Sequence, residues 1–238
     1  MRSSSTPRRR ATWTAVAAGA LLLLTGCADV HPGVAAKVGD DTITMATVDQ
    51  AADDLCTGLR PQLGTGQTPA AFTMGRLRSN IVQTMVTRQV AEQVAADLDV
   101  STGSSYNDAV NSAKASVASL PAGVQQTLID LQTAGPYVTD VLTAAAKKQL
   151  AAAGNTSPTD EQVNLQATGL LAGYMKKADI SIDPRFGLDA DLGTTDTTVS
   201  FAASSVAKTA VKAASSEATQ DDVDAALALV PMSLRCTK

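Results

Sequence analysis

The sequence predicts a mainly α protein with a small β-hairpin. Three observations carry this expectation. Of 238 residues, 42 are alanine, a strong helix former that buries little area per side chain. Aromatics make up only 3% against 45% hydrophobic residues, so the core is thinly packed. Apolar residues then recur at helical spacing along most of the chain. This composition argues against a β-sandwich, a repeat array and a polytopic membrane protein.

Taken in order, the first segment is an address rather than a fold element. Arg2, Arg8, Arg9 and Arg10 form a basic start, and residues 11–24 are uncharged and apolar. A spanning helix needs roughly 20 such residues, so the run reads as the apolar part of a signal peptide. It ends in Leu24-Thr25-Gly26-Cys27, which resembles a bacterial lipobox. Small residues before the cysteine open the backbone to a peptidase, and the Cys27 thiol receives the diacylglycerol. An ordinary secretory signal with a coincidental cysteine is the plainer alternative. Arg8-Arg9 leaves both the general and the twin-arginine export routes open. The expected division is a lipoprotein signal peptide at 1–26, a lipidated tether at 27–33, a helical domain at 34–193, and a Ser/Thr/Ala-rich segment with a C-terminal helix at 194–238. Residues 1–26 hold four arginines and no acid, so without them the formal charge moves from −4 to −8.

A weakly alternating stretch at Val34–Val38 is followed by turn residues Gly39-Asp40-Asp41 and an extended Thr42-Ile43, the pattern of a hairpin. Thr44 caps the next helix, whose apolar face is Val48, Ala51, Ala52, Leu55, Cys56 and Leu59, and Pro61 ends it. Residues 64–69 form a loop. Leu77, Ile81, Val82, Met85, Val86, Val90, Val94 and Leu98 mark the strongest amphipathic helix. Core packing explains this stripe, with a partner-binding groove as its other use. Shorter helices are expected over 108–119, 124–131 and 138–153, with Pro121 and Pro136 as breaks. Ser157 is expected to cap a helix that has Pro158 at its first position and ends near Lys177. Ile180–Ile182 alternates like an edge strand stopped by Pro184. Residues 193–214 are expected to be irregular, with one helix around 206–213. Thr219 opens the last helix.

If Cys27 carries lipid, Cys56 and Cys236 remain. An even pair in an oxidising compartment reads as one disulfide, the alternative being two unrelated buried thiols.

Catalytic constellations are scarce. A Ser-His-Asp triad, a Cys-His pair or a histidine metal site each needs a histidine in the folded body. The sole histidine, His31, lies four residues past Cys27, where it reads as a solvated tether residue. Ser205-Val206-Ala207-Lys208 matches S-x-x-K, but the S-D-N and K-T-G partners of penicillin-recognising enzymes do not occur. Asp189-Ala190-Asp191-Leu192-Gly193 echoes part of a calcium loop without its remaining acids and reads as a turn. Gly64-Thr65-Gly66 lacks the strand–helix context of a nucleotide loop. No catalytic, cofactor or metal residue is therefore assigned. No Lys/Arg cluster suited to nucleic acid occurs either.

Three segments carry a family resemblance. Val34 to Thr44 resembles the hairpin that opens SurA-type chaperones and foldases, and the helix ending Gln89-Val90-Ala91-Glu92-Gln93-Val94-Ala95 resembles their second core helix. Ile180-Ser181-Ile182-Asp183-Pro184-Arg185-Phe186-Gly187 is similar to the "V-x-V-N-P-R-Y-G" element of SurA-like lipoproteins, with Asp183 for Asn and Phe186 for Tyr. The resemblance spans roughly residues 34 to 187. It implies a SurA-N-like helical domain with a small sheet in which the hairpin meets the Ile180–Ile182 strand. It also implies a chaperone-like role. Between Ser101 and Asn155 the only aromatics are Tyr106 and Tyr137, and no histidine occurs, so no parvulin isomerase site carries over.

Two functions follow. One is a lipid-anchored, non-enzymatic chaperone-like protein that binds unfolded secreted polypeptide at the extracytoplasmic membrane face. The other is a dedicated cell-envelope interaction protein that binds one folded partner. The peptide-binding residues are not readable from the sequence, because every apolar position named is also needed for the core.

Overall fold

The computed structural model describes residues 33–63, 71–194, 204–214 and 217–237. The expected signal peptide, Cys27, His31 and Gly64-Thr65-Gly66 lie outside these residues.

Strands β1 (Val34–Val38) and β2 (Asp41–Thr44) form the expected hairpin, in the register Val38↔Asp41 and Ala36↔Ile43. Gly39 takes a φ of +62° at the first of its two turn positions. That is the left-handed conformation a two-residue hairpin of this kind asks of glycine. Strand β1 also pairs with the strand at Ile180–Ile182, through Ala36↔Ile182 and Val38↔Ile180. The result is a three-stranded antiparallel sheet in which the Ile180–Ile182 strand is an edge, as the alternation and Pro184 required.

Helix α1 (Met45–Leu59) starts where Thr44 Oγ1 accepts the Thr47 N–H at 3.1 Å. A single-turn 3-10 helix at Arg60–Gln62 follows it, with Pro61 inside. A short strand, β3 (Ala71–Thr73), leads into helix α2 (Met74–Asp97). The α2 stripe is core: Ile81, Val82, Val86, Val90 and Val94 are all buried.

Helix α3 (Ser104–Val117) is followed by one helix, α4 (Ala122–Ala152). The break expected at Pro136 does not occur. Proline removes one helix hydrogen bond and crowds the preceding turn, and packing on both sides of it outweighs that cost. Leu128 and Ile129 precede it in a cluster with α3, whereas Val141, Leu142, Ala145 and Ala146 follow it in a cluster with the end of α2 and helix α5 (Asp160–Lys177). The expected cap of α5 is also corrected. Thr159, not Ser157, is the cap: its side chain accepts the Gln162 N–H while Gln162 Oε1 accepts the Thr159 N–H.

Strand β4 (Ile180–Ile182) completes the first sheet, and Asp183 starts the 3-10 turn Pro184–Phe186. Ser79 Oγ on α2 donates to the Phe186 carbonyl at 2.7 Å, which pins this turn to the helix. Helices α6 (Ser205–Ala214) and α7 (Gln220–Leu229) follow, and Thr219 caps α7 as expected. The last strand, β5 (Arg235–Thr237), pairs with β3 through Phe72↔Cys236 in a second, two-stranded sheet. Cys56 and Cys236 form a disulfide with a Cα–Cα distance of 5.5 Å, which ties β5 to α1. The core beneath joins β1, α1, α2 and the disulfide. No helix among the described residues is long and apolar enough to cross a membrane.

Candidate functional site

An open groove of 650 Å³ runs between α1, α2 and α4. The same helices also make two close contacts. At one, α1 meets α4 at Gly58, where a Cβ would lie 2.6 Å from Leu128 Cδ1, so the absent side chain permits the approach. At the other, the Arg88 guanidinium of α2 lies 4.9 Å from the centre of the Tyr137 ring of α4.

From α1 the groove takes Ala46, Thr47, Gln50 and Ala51, and from α2 it takes Thr84, Met85 and Arg88. Helix α4 supplies Thr127, Asp130, Leu131 and Ala134. The buried alanines Ala51 and Ala134 hollow the floor, and the half-buried Met85 and Leu131 offer apolar contact. Thr84 donates its hydroxyl back to the Asn80 carbonyl at 2.8 Å, so its donor is already used. Gln50 donates to the buried Asp54 carboxylate at 2.9 Å. A smaller recess of 350 Å³ between α2 and α4 adjoins the groove and shares Thr84 and Ala134 with it.

The charged end of the groove is built. Arg88 Nε donates to Glu92 Oε1 at 2.9 Å, and Tyr137 stacks edge-to-face on Tyr106 with centroids 5.4 Å apart. Partial burial works against the Arg88 charge, but hydrogen bonding and attraction to Glu92, with Tyr106 adding to both, raise its pKa overall. Burial pushes the Tyr137 phenol up, Glu92 adds to this, and Arg88 pulls the other way. Arg88 Nη1 is buried and has no hydrogen-bond partner among the described residues.

Of the positions singled out in the sequence, the structure brings together Cys56 and Cys236. Ser205 and Lys208 sit in the first turns of α6, away from the groove. Asp189 Oδ1 accepts the backbone N–H groups of Asp191 and Gly193, so this carboxylate closes a turn. The groove residues were missed, apart from Met85. Threonine, glutamine and alanine on three separate helices form no pattern that a sequence reading could collect.

These features define a mainly α domain with a small sheet and an open interhelical groove. Residues 8–122, just under half of the chain, match the SurA-like N-terminal domain family. Over these residues the chain is similar to a SurA-like N-terminal domain. The match contains α1 and α2, whereas α4 begins where it ends, so the third wall of the groove comes from beyond the matched region. No match is found among curated proteins or among solved structures.

Proposed function

We propose that this protein holds unfolded or extended polypeptide in the α1–α2–α4 groove, without catalysis, at the extracytoplasmic face of a membrane to which Cys27 anchors it through lipid. The observation that carries the reading is the open groove, two of whose three walls lie in the region similar to a SurA-like N-terminal domain. Its volume falls in the range of ordinary ligand sites. Its apolar floor suits non-directional contact with varied side chains, and its rim of threonine and glutamine leaves acceptors for main-chain N–H groups. The Leu24-Thr25-Gly26-Cys27 sequence supports the anchor, which would stand the domain where secreted chains emerge unfolded.

The test is a photocrosslinker placed at Thr84 or Thr127 in the groove, with Lys114 on α3 as the control position. A reduced, unfolded secreted protein should crosslink at the first two sites and not at the third. The protein should also slow that substrate's aggregation at stoichiometric ratio. Equal crosslinking at all three positions, or none, refutes the reading. Intact mass of the membrane-extracted protein should start at Cys27 and carry a diacylglyceryl adduct. The second reading, one folded envelope partner, draws on the exposed Val206, Val211, Leu229, Met232 and Leu234 of the C-terminal part. In-cell crosslinking separates the two: many secretory chains support the holding role, and one stoichiometric partner supports the other.

A further inference from the structure

Among the described residues six large apolar side chains are exposed, and five of them lie in the C-terminal part. Val206 and Val211 are on α6, Leu229 ends α7, and Met232 and Leu234 follow it. Helix α6 packs against α7. Lys212 Nζ lies 2.7 Å from the Asp222 carboxylate of α7, which turns the Lys212 side of α6 toward its neighbour. Val206 and Val211 are about 140° apart around the helix axis, with Ala207 and Ala210 between them. Lys212 lies nearly opposite the middle of that sector, so the sector points away from α7. Its valines are 52% and 59% exposed.

The length of chain between Cys27 and the described residues says what meets this face. Gly33 is six residues past Cys27, and six residues reach at most about 20 Å. The Gly33 carbonyl accepts the Met45 N–H at the start of α1. Cys56 lies about 16 Å further along that helix, and its disulfide partner Cys236 follows Met232 and Leu234 closely in the chain. A lipid on Cys27 therefore keeps the exposed apolar residues beside a bilayer. A short linker gives a second contact an effective concentration of about a millimolar, so a patch too weak to bind a membrane alone suffices to orient the domain. We propose that the α6–α7 part rests on the bilayer, with Val206 and Val211 seated at the boundary of headgroups and acyl chains. This rests on the lipid anchor at Cys27 and adds the orientation of the domain. Residues 204–237 hold three basic and four acidic residues, so the contact is apolar and needs no anionic lipid. The groove takes no residue from this part and stays open to polypeptide.

The test uses tryptophan as a depth probe. Trp13 is the sole tryptophan and precedes Cys27, so a chain that begins at Cys27 has none. Wild type, Val211→Trp and Leu165→Trp are extracted from membranes and reconstituted in phosphatidylcholine vesicles with or without brominated acyl chains, wild type serving as the blank. Bromine should quench Val211→Trp about twofold, as expected of a side chain at the headgroup–acyl boundary. Leu165 is the sixth exposed apolar residue, 76% exposed on α5 with the exposed Glu161 one turn before it, and Leu165→Trp should stay unquenched. Adding Val206→Asp, also at an exposed position, should abolish the quenching at residue 211 while the protein still floats with the vesicles. Equal quenching at residues 165 and 211 overturns the proposed orientation. No quenching at 211 in a protein that floats overturns the bilayer contact and leaves the anchor standing; a photocrosslinker at 211 that then captures one protein, or a second copy of this chain, gives the patch to that partner. A protein that does not float overturns the anchor and the proposal with it.

Discussion

Removing the Cys56–Cys236 disulfide should destabilise the fold strongly. The bond joins residues 180 positions apart, so it restricts nearly the whole described chain when unfolded. The chain-entropy relation gives about 5 kcal/mol for a loop of this length. With a urea slope of about 2.5 kcal/mol per molar, the unfolding midpoint of Cys56→Ala/Cys236→Ala should fall by about 2 M. The native contacts around the bond indicate where opening begins. Strand β5 is three residues long and its one strand partner is β3, so without the bond its amides should exchange before those of α2. Both sulfurs are buried, and their removal also leaves a small void. Wild-type protein reduced while unfolded and then refolded with its thiols intact separates the two effects, since it loses the crosslink and keeps the volume. A midpoint within about 0.3 M of the oxidised protein would refute the loop-closure reasoning. Early exchange across α2 rather than β5 would refute the local one.

At Gly58, alanine gains about 1 kcal/mol of helix propensity, yet its Cβ would lie 2.6 Å from the buried Leu128 Cδ1. Leu55, Leu120 and Val124 pack around that cluster, so overpacking should win and Gly58→Ala should lose about 1 kcal/mol net in urea unfolding; a gain would show that Leu128 moves freely. Asp140 Oδ2 accepts the backbone N–H groups of Gly103 and Tyr106, both at 2.9 Å, at the start of α3, where Gly103 offers no side-chain cap. Asp140→Ala should therefore cost about 1 to 2 kcal/mol, with the loss concentrated in α3 amide exchange. The Asp222 carboxylate is lowered to about 2 by hydrogen bonding to Lys212, then to the Thr219 N–H and hydroxyl. Its folded pKa lies below its unfolded one, so its contribution is complete above about pH 4 and is lost as pH falls toward 2. Exchange protection of α7 should fall across that window in wild type and be flat there in Asp222→Asn.

Much of the fold was legible because its determinants are local. Thr44 and Thr219 cap helices through partners three residues away. The α2 stripe and the hairpin turn at Gly39 are likewise settled within a few neighbours. Cysteine counting identified Cys56 and Cys236 because only two thiols remained once Cys27 was set aside. The misreadings have local causes too. Ser157 before Pro158 looks like a cap, but the reciprocal bond with Gln162 puts the cap at Thr159. Pro136 looked like a break because a proline's cost is local, whereas the packing that offsets it comes from α2, α3 and α5.

What only the tertiary structure decided is the β3–β5 pairing and the groove. Three residues at Ala71–Thr73 have too little alternation to announce a strand, and their partner lies at the far end of the chain. The groove is a place where helix surfaces fail to meet. Its walls come from three separate helices, α1, α2 and α4. Periodicity in a sequence records which faces are apolar. It does not record the distance between two faces, and that distance separates a closed core from an open site.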